Sequence, residues 1–359
     1  TGIGTLSQPT LPRIQGIDSF SGQSFHTSRW PHEPVSYKGK RVAVVGTGAT
    51  GVQTIQEVCK DVGHLTVFQR RPNWCAPLHN SKIEPDEMEE IRARYNEIFE
   101  TCNQTAAGFL HTADSRLTFE VSEEQRYEFW EYLYASKGFG IWQGNFKDVP
   151  TDPKANKMMS DFIADKIRQR VNDPEVAEKL IPKDHGFGTR RVPLESGYYK
   201  SYNRNNVSLI DISESPIEKI TNTGIKTKDH AYDLDLIIYA TGFDAITGSL
   251  LKINIIGKNG KSLKSEWEKE PINLLGLQIP NFPNLFTITG PGSPSVLTNM
   301  PRAIEQHVDW VTMCISKLMK MKKNKIEASR SASLAWLEEV KRESERTMFL
   351  KTSNSWYLG

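Results

Sequence analysis

The stretch Arg41-Val-Ala-Val-Val-Gly-Thr-Gly-Ala-Thr-Gly51 restricts this chain more than any other. Val42 to Val45 are small apolar or β-branched residues and read as a short strand covered on both faces. Gly46, Gly48 and Gly51 follow on the G-x-G-x-x-G spacing, with Thr47, Ala49 and Thr50 between them. Val52, Ile55 and Val58 then recur at helical spacing. A strand, a glycine turn and a helix in that order are the context of a dinucleotide-binding turn. Gly46 permits the tight turn, Gly48 lets the backbone approach a pyrophosphate, and Gly51 lets helix and strand pack. The free N–H groups at the helix start would face the phosphates.

The end of the next strand decides which dinucleotide fits. Leu65-Thr-Val-Phe-Gln-Arg70 is that strand, and an acidic residue about 20 positions beyond the glycines would hold a free adenosine ribose. Gln69, Arg70 and Arg71 stand there instead. Two guanidinium groups suit a 2′-phosphate, which points to NADP rather than NAD. The competing reading is a pair of solvated loop arginines.

At 359 residues the chain has room for about two to three domains. With 38% apolar and 25% charged residues it has the make-up of a soluble globular protein. A net charge of +2 without a long basic run gives no reason to expect nucleic acid. Apolar runs are too short to span a bilayer and no secretory leader is seen, so no membrane partner is expected. Cys59, Cys75, Cys102 and Cys314 are widely spaced, without a C-x-x-C pair or metal-ligand pattern. Free thiols in a reducing, cytoplasmic setting follow, with Cys59 and Cys314 on apolar helix faces in the core.

Phe20, Gly22, His26, Trp30 and Pro31 spell F-x-G-x-x-x-H-x-x-x-W-P just ahead of the glycine turn. By itself, His26 in such a pattern is a hydrogen-bonded linker residue more often than a base. The pattern resembles the fingerprint of type I Baeyer–Villiger monooxygenases, and the likeness runs nearly end to end, closest to the phenylacetone monooxygenase-like branch. The resemblance implies an α/β flavoprotein with two dinucleotide-binding domains, one for FAD and one for NADP. It implies oxidation of a small ketone by NADPH and O2 to an ester or lactone, through a flavin C4a-peroxide. In such proteins the first G-x-G-x-x-G binds FAD and precedes everything seen here. The chain is therefore expected to lack the N-terminal half of its FAD domain and the extreme C-terminus, and to be inactive alone.

Gly186-Phe-Gly-Thr-Arg190-Arg191 reads by itself as a solvated turn, because adjacent loop arginines are common. The family carries F-G-T-[KR]-R at this place. By that resemblance Arg190 is a third cation for the 2′-phosphate, and Arg191 is the catalytic arginine that stabilises the anionic peroxide. Thr241-Gly242-Phe-Asp244 after an apolar strand resembles the second shared motif, where the chain passes to the FAD domain. Asn284 to Gly290 reads as a strand leading into Pro291-Gly-Ser-Pro-Ser-Val-Leu-Thr-Asn-Met300 and a helix from Pro301. Resemblance sets Ser295, Val296, Leu297 and Met300 at the ketone pocket, Asn299 and Met300 beside a cofactor, and Trp356 in a mobile cofactor-contacting segment. Read alone, that loop is equally ordinary loop and core.

The expected division is 1–35 as a linker from the truncated FAD domain, and 36–75 with 187–240 as the NADP domain. Residues 76–186 form a helical insertion, with Phe129, Trp130 and Tyr134 in its core, and 241–359 the rest of the FAD domain. An N- or S-oxygenating flavin monooxygenase, or an inactive NADP-binding fragment, is the alternative function.

Overall fold

The computed structural model describes residues 1–293 and 298–351. In chain order the elements begin with β1 (Gln23–His26), β2 (Arg41–Val45), α1 (Ala49–Val58), β3 (His64–Gln69) and β4 (Ala76–Pro77). Helices follow: α2 (Pro85–Ala93), α3 (Tyr95–Gln104), α4 (Glu123–Ala135), α5 (Gly140–Gln143), α6 (Pro153–Arg170) and α7 (Pro174–Leu180). Next come β5 (Leu194–Glu195), α8 (Tyr198–Ser201), β6 (Val207–Asp211), β7 (Ile217–Thr221), β8 (Gly224–Thr227), β9 (Ala231–Asp233) and β10 (Leu236–Tyr239). The last helices are α9 (Gly248–Leu251), α10 (Leu263–Glu266), α11 (Met300–Lys320) and α12 (Arg330–Glu345).

Residues 9–80 with 115–243 make one compact unit, and 1–8, 81–114 and 244–359 make another. Thus 115–186 group with the sheet, whereas 81–114 group with the C-terminal segment. In the first unit a parallel five-stranded sheet has the order β1-β10-β2-β3-β6. The central strands are covered on both sides because consecutive residues point to opposite faces. Val42 and Val44 join Val52, Ile55 and Val58 of α1 and Met159, Ile163 and Ile167 of α6. Ala43 and Val45 meet Ile220, Ile225 and Tyr232 of the antiparallel β7-β8-β9 sheet on the other face. That explains the unbroken apolar run of β2.

Helix starts follow local chemistry. Asp152 accepts from Lys154 N and Ala155 N, with Pro153 just inside the helix, which opens α6 where Thr151-Asp-Pro153 predicts it. The helical spacing of Met88, Ile91, Tyr95, Ile98 and Phe99 in a charged segment is divided between α2 and α3 at Arg94, whose backbone leaves the helical region, and Tyr95 and Phe99 are exposed. Trp130 is buried, and Phe129 and Tyr134 pack against the same core.

Several local expectations are corrected. Within 1–35, residues 23–26 form the edge strand β1 beside β10, which the sequence does not foretell. Residues 284–290 are not a strand and keep a single bridge, Phe286 to Gln278. Asn284 and Thr289 have φ of 62° and 55°, and two left-handed residues in seven break an extended run. Cys59 is buried, but Cys314 is only half-buried, and Ile304, Val308 and Ile315 of the same helix are exposed. Cys75 and Cys102 are the further buried thiols. Among the described residues no helix is long and apolar enough to cross a membrane.

Candidate functional site

The glycine turn leaves the carboxyl end of β2, where the chain runs through α1 to β3 on one side while β10 flanks the other. Such a reversal of strand order opens a crevice above the sheet. Gly46 takes φ of 107°, and a methyl group there would stand 2.5 Å from the Ala240 carbonyl oxygen. At Gly51 a methyl group would stand 2.2 Å from the Gly46 carbonyl oxygen. Both glycines therefore serve close backbone packing between β2, β10 and the first turn of α1. Gly48 differs. It is exposed, and a methyl group there would meet none of the described residues within 4 Å. Its space opens outward, at a helix start that no side chain of the described residues caps. Thr47 closes the loop from the other side, its buried Oγ1 donating to the Arg71 carbonyl at 2.8 Å. This contact ties the glycine turn to the arginines at the end of β3.

Arg70 and Arg71 are exposed, and Arg190 approaches them from the 184–191 loop. Burial pushes the Arg190 guanidinium below its ordinary range; Arg71 and Arg70 push the same way, and Asp184 pulls against them. The three cations thus share one neighbourhood. Asp184 lies among them, with Oδ2 at 3.2 Å from Arg190 Nη2 and 3.9 Å from Arg71 Nε. Burial disfavours its charge, but His185 at 2.6 Å and Arg190 outweigh that and hold its carboxyl below the usual range. Burial also lowers His185, opposed by the hydrogen bond to Asp184. Neither residue was a candidate in the sequence. The signal was present in Lys183-Asp184-His185 just before the glycine loop, but an acid among cations does not announce itself by spacing.

The arginine loop is held from α6. Buried Asn156 donates through Nδ2 to the Val149 and Phe187 carbonyls at 2.9 and 2.8 Å. Ser160 Oγ accepts from Phe187 N at 2.9 Å. Trp74 Nε1 donates to the His185 carbonyl at 2.9 Å, and Thr189 Oγ1 to Gly186 O at 2.9 Å. These contacts fix the loop backbone and leave its ends to differ: Arg190 keeps a side-chain exposure of 14%, while Arg191 is exposed. The Arg191 guanidinium has no ion-pair partner among the described residues, and its carbonyl accepts from Asn73 Nδ2 at 3.3 Å.

The fingerprint residues gather at the other flank of β10. His26 ends β1, accepts from Ser28 N at 3.1 Å and meets the Phe243 ring edge-on at 5.4 Å. Burial lowers its pKa, and the Gly242 backbone opposes this. Phe25 and Trp30 pack edge-to-face at 4.7 Å, and a methyl group at Gly22 would strike the Phe20 ring and the Asp235 carbonyl. Pro31 is half-buried. Thr241 Oγ1 donates to Thr10 O at 2.6 Å, Thr10 N donates to Gly242 O at 2.9 Å, and Gly242 takes φ of 87°. The fingerprint thus builds the strand edge and braces the A-T-G-F turn; His26 contacts none of the arginines named above.

In the other unit, Asn299 precedes α11, its backbone N–H donating to Ala107 O at 2.7 Å and its Nδ2 to Gly108 O at 3.1 Å. Met300 is the first residue of that helix. Ser295, Val296, Leu297 and Trp356 lie outside the described residues. No group of three or more His, Cys, Asp or Glu suited to a metal ion occurs among the described residues.

Comparison with known proteins gives a consistent set of likenesses. A family model described as flavin-binding monooxygenase-like matches residues 1–106. The chain is 47% identical over 364 residues to 2-oxo-Delta(3)-4,5,5-trimethylcyclopentenylacetyl-CoA monooxygenase of Pseudomonas putida, covering 100% of this chain and 67% of that protein. To cyclohexanone 1,2-monooxygenase of an Acinetobacter species it is 37% identical over 361 residues, covering 100% of this chain and 65% of the relative. A crystal structure of OTEMO in complex with FAD and NADP superposes with a TM-score of 0.96 at 47% identity, over 98% of this chain and 67% of that one. The chain spans about two thirds of the length of these relatives.

The contrast between two glycines is testable. Gly51→Ala forces a methyl group against the Gly46 carbonyl and should cost about 1–3 kcal/mol of stability by overpacking. Gly48→Ala, with extended backbone and open space, should stay within about 1 kcal/mol of the parent protein. The expected loss at Gly48 is nucleotide binding. Denaturant unfolding and NADP titration of both variants measure this; equal stability loss at the two positions would contradict it.

Proposed function

The chain belongs to the Baeyer–Villiger monooxygenase family, and from that premise we propose that it carries the NADPH-binding part of an FAD-dependent enzyme converting ketones to esters or lactones. The observation that carries the proposal is the joining of an outward-facing Gly48 and an uncapped helix start to three arginines through Thr47 and Arg71. A pyrophosphate needs the first and a 2′-phosphate the second. The residues present therefore fit NADP: Gly46 to Gly51 hold the pyrophosphate, and Arg70, Arg71 and Arg190 the 2′-phosphate. The family resemblance adds Thr241, Gly242, Asn299, Met300 and Trp356 as further cofactor-contacting residues. When bound, NADPH supplies the hydride and FAD the ring at which O2 is activated.

The chain's own residues have separable tasks in this reading. Asn156 and Ser160 hold the loop backbone. Arg190, nearly enclosed, binds and orients the nucleotide. Arg191, at the exposed end, keeps a permanent positive charge for the negative charge that develops during oxygen transfer. Ser295, Val296, Leu297 and Met300 are the proposed ketone-pocket residues, and Phe20, Gly22, His26, Trp30 and Pro31 support the fold at the β1 edge. Free cysteines, mostly buried, suit a reducing cytoplasm.

Cofactor choice in the full-length enzyme tests the arginine assignment. A charge-assisted hydrogen bond contributes about 1.5–3 kcal/mol, so Arg70→Ala or Arg190→Ala should raise the KM for NADPH roughly 10- to 150-fold. The KM for NADH should hardly change. Equal damage to both cofactors would remove the 2′-phosphate from the proposal.

Arg191 calls for a different readout. Arg191→Ala should abolish ester or lactone formation while NADPH oxidation and O2 consumption continue, with hydrogen peroxide as the product. Arg191→Lys keeps charge but loses the planar fork and should recover little. Gas chromatography of the product beside a peroxide assay decides; near-parental coupling in Arg191→Ala would exclude the role.

A further inference from the structure

Asp184 holds the place in the arginine cluster that an anion from outside would compete for. Its Oδ2 faces Arg190 Nη2 at 3.2 Å and Arg71 Nε at 3.9 Å. Its Oδ1 lies 2.6 Å from His185 Nδ1, and the His185 side chain is fully enclosed. The carboxylate is thus tethered on one oxygen to an enclosed ring while the other faces two guanidiniums. Arg190 is packed close enough to Arg71 and Arg70 to feel both as like charges. Three gathered cations need a counter-charge, and Asp184, with 35% of its side chain exposed, supplies one at the rim.

A 2′-phosphate brings more negative charge and three acceptor oxygens to the same guanidiniums. Arg190 and Arg71 then have a stronger partner, but the His185 contact keeps the carboxylate beside it. We propose that Asp184 is a built-in placeholder for the 2′-phosphate, neutralising Arg190 and Arg71 before nucleotide binds and opposing the phosphate afterwards. It thereby limits affinity for NADP(H) without touching that for NAD(H). The inference rests on the assignment of Arg71 and Arg190 to the 2′-phosphate. It also distinguishes Asp184 from Asn156 and Ser160, which hold the loop backbone and whose loss can only weaken binding.

Removing the charge should therefore act in two opposite directions. The nucleotide-free protein loses a counter-charge, and the complex loses a repulsion. Partly exposed charge pairs of this kind change an equilibrium by roughly two- to fivefold. The experiment is calorimetric titration of the full-length enzyme with 2′,5′-ADP and with 5′-ADP, which lacks the 2′-phosphate, alongside thermal unfolding without nucleotide. Asp184→Asn should bind 2′,5′-ADP roughly two- to fivefold more tightly, bind 5′-ADP as before and unfold at a lower temperature. Asp184→Ser, which puts no amide beside the guanidiniums, should move in the same direction. Asp184→Glu keeps the charge and should match the parent. If both neutral variants bind 2′,5′-ADP as the parent does or more weakly, while Arg190→Ala binds it poorly, the placeholder role is overturned and the phosphate site stands. If Arg190→Ala also binds 2′,5′-ADP normally, both are overturned.

Discussion

A Cβ at Gly51 would lie 2.2 Å from the Gly46 carbonyl, and one at Gly46 would lie 2.5 Å from that of Ala240. No other residue type fits either position without moving backbone. These two approaches bring the first turn of α1, the end of β2 and the end of β10 to one point. Everything proposed for the nucleotide depends on that. The helix start faces the crevice only because α1 sits directly on the turn, and the A-T-G-F turn begins where β10 meets Gly46. A helix displaced by a side chain at Gly51 would direct its free N–H groups elsewhere.

The second dependence is electrostatic. Three arginines in one neighbourhood repel, and the structure counters this by fixing the backbone of the Arg190 loop and placing an acid among them. The Asn156 and Ser160 contacts reach from α6, so the helical segment packed on the sheet is part of the site through its hold on Phe187. Thr47 adds the remaining link, from the glycine turn to Arg71. In the proposed reading, that one hydroxyl couples the 2′-phosphate site to the pyrophosphate site.

How legible this was depends on whether a feature has a period or a fixed spacing. The strand, turn and helix of 41–58 have both, and the structure follows them closely. The arginines were visible as residue types at the end of β3 and in the 186–191 loop, whereas their convergence is tertiary. Asp184 and Asn156 left no pattern, since one buried amide and one acid repeat nothing along the chain. Apolar content misled at 284–290, because left-handed backbone at Asn284 and Thr289 overrides strand propensity. The edge strand β1 was missed for the opposite reason: Gln23 and Ser24 are polar and exposed, so its strand character comes from pairing with β10. On α11, Ile304, Val308 and Ile315 recur near helical spacing yet are exposed, since spacing alone does not reveal whether a face is covered.

The central claim is that one nucleotide spans the glycine turn and the arginine cluster. A crystal structure of the full-length enzyme with NADP tests it most directly. The account predicts the pyrophosphate against the Gly48 backbone at the start of α1 and the 2′-phosphate within hydrogen-bond distance of Arg70, Arg71 and Arg190. A nucleotide lying across Gly48 with its 2′-phosphate in solvent, away from all three guanidiniums, would contradict it.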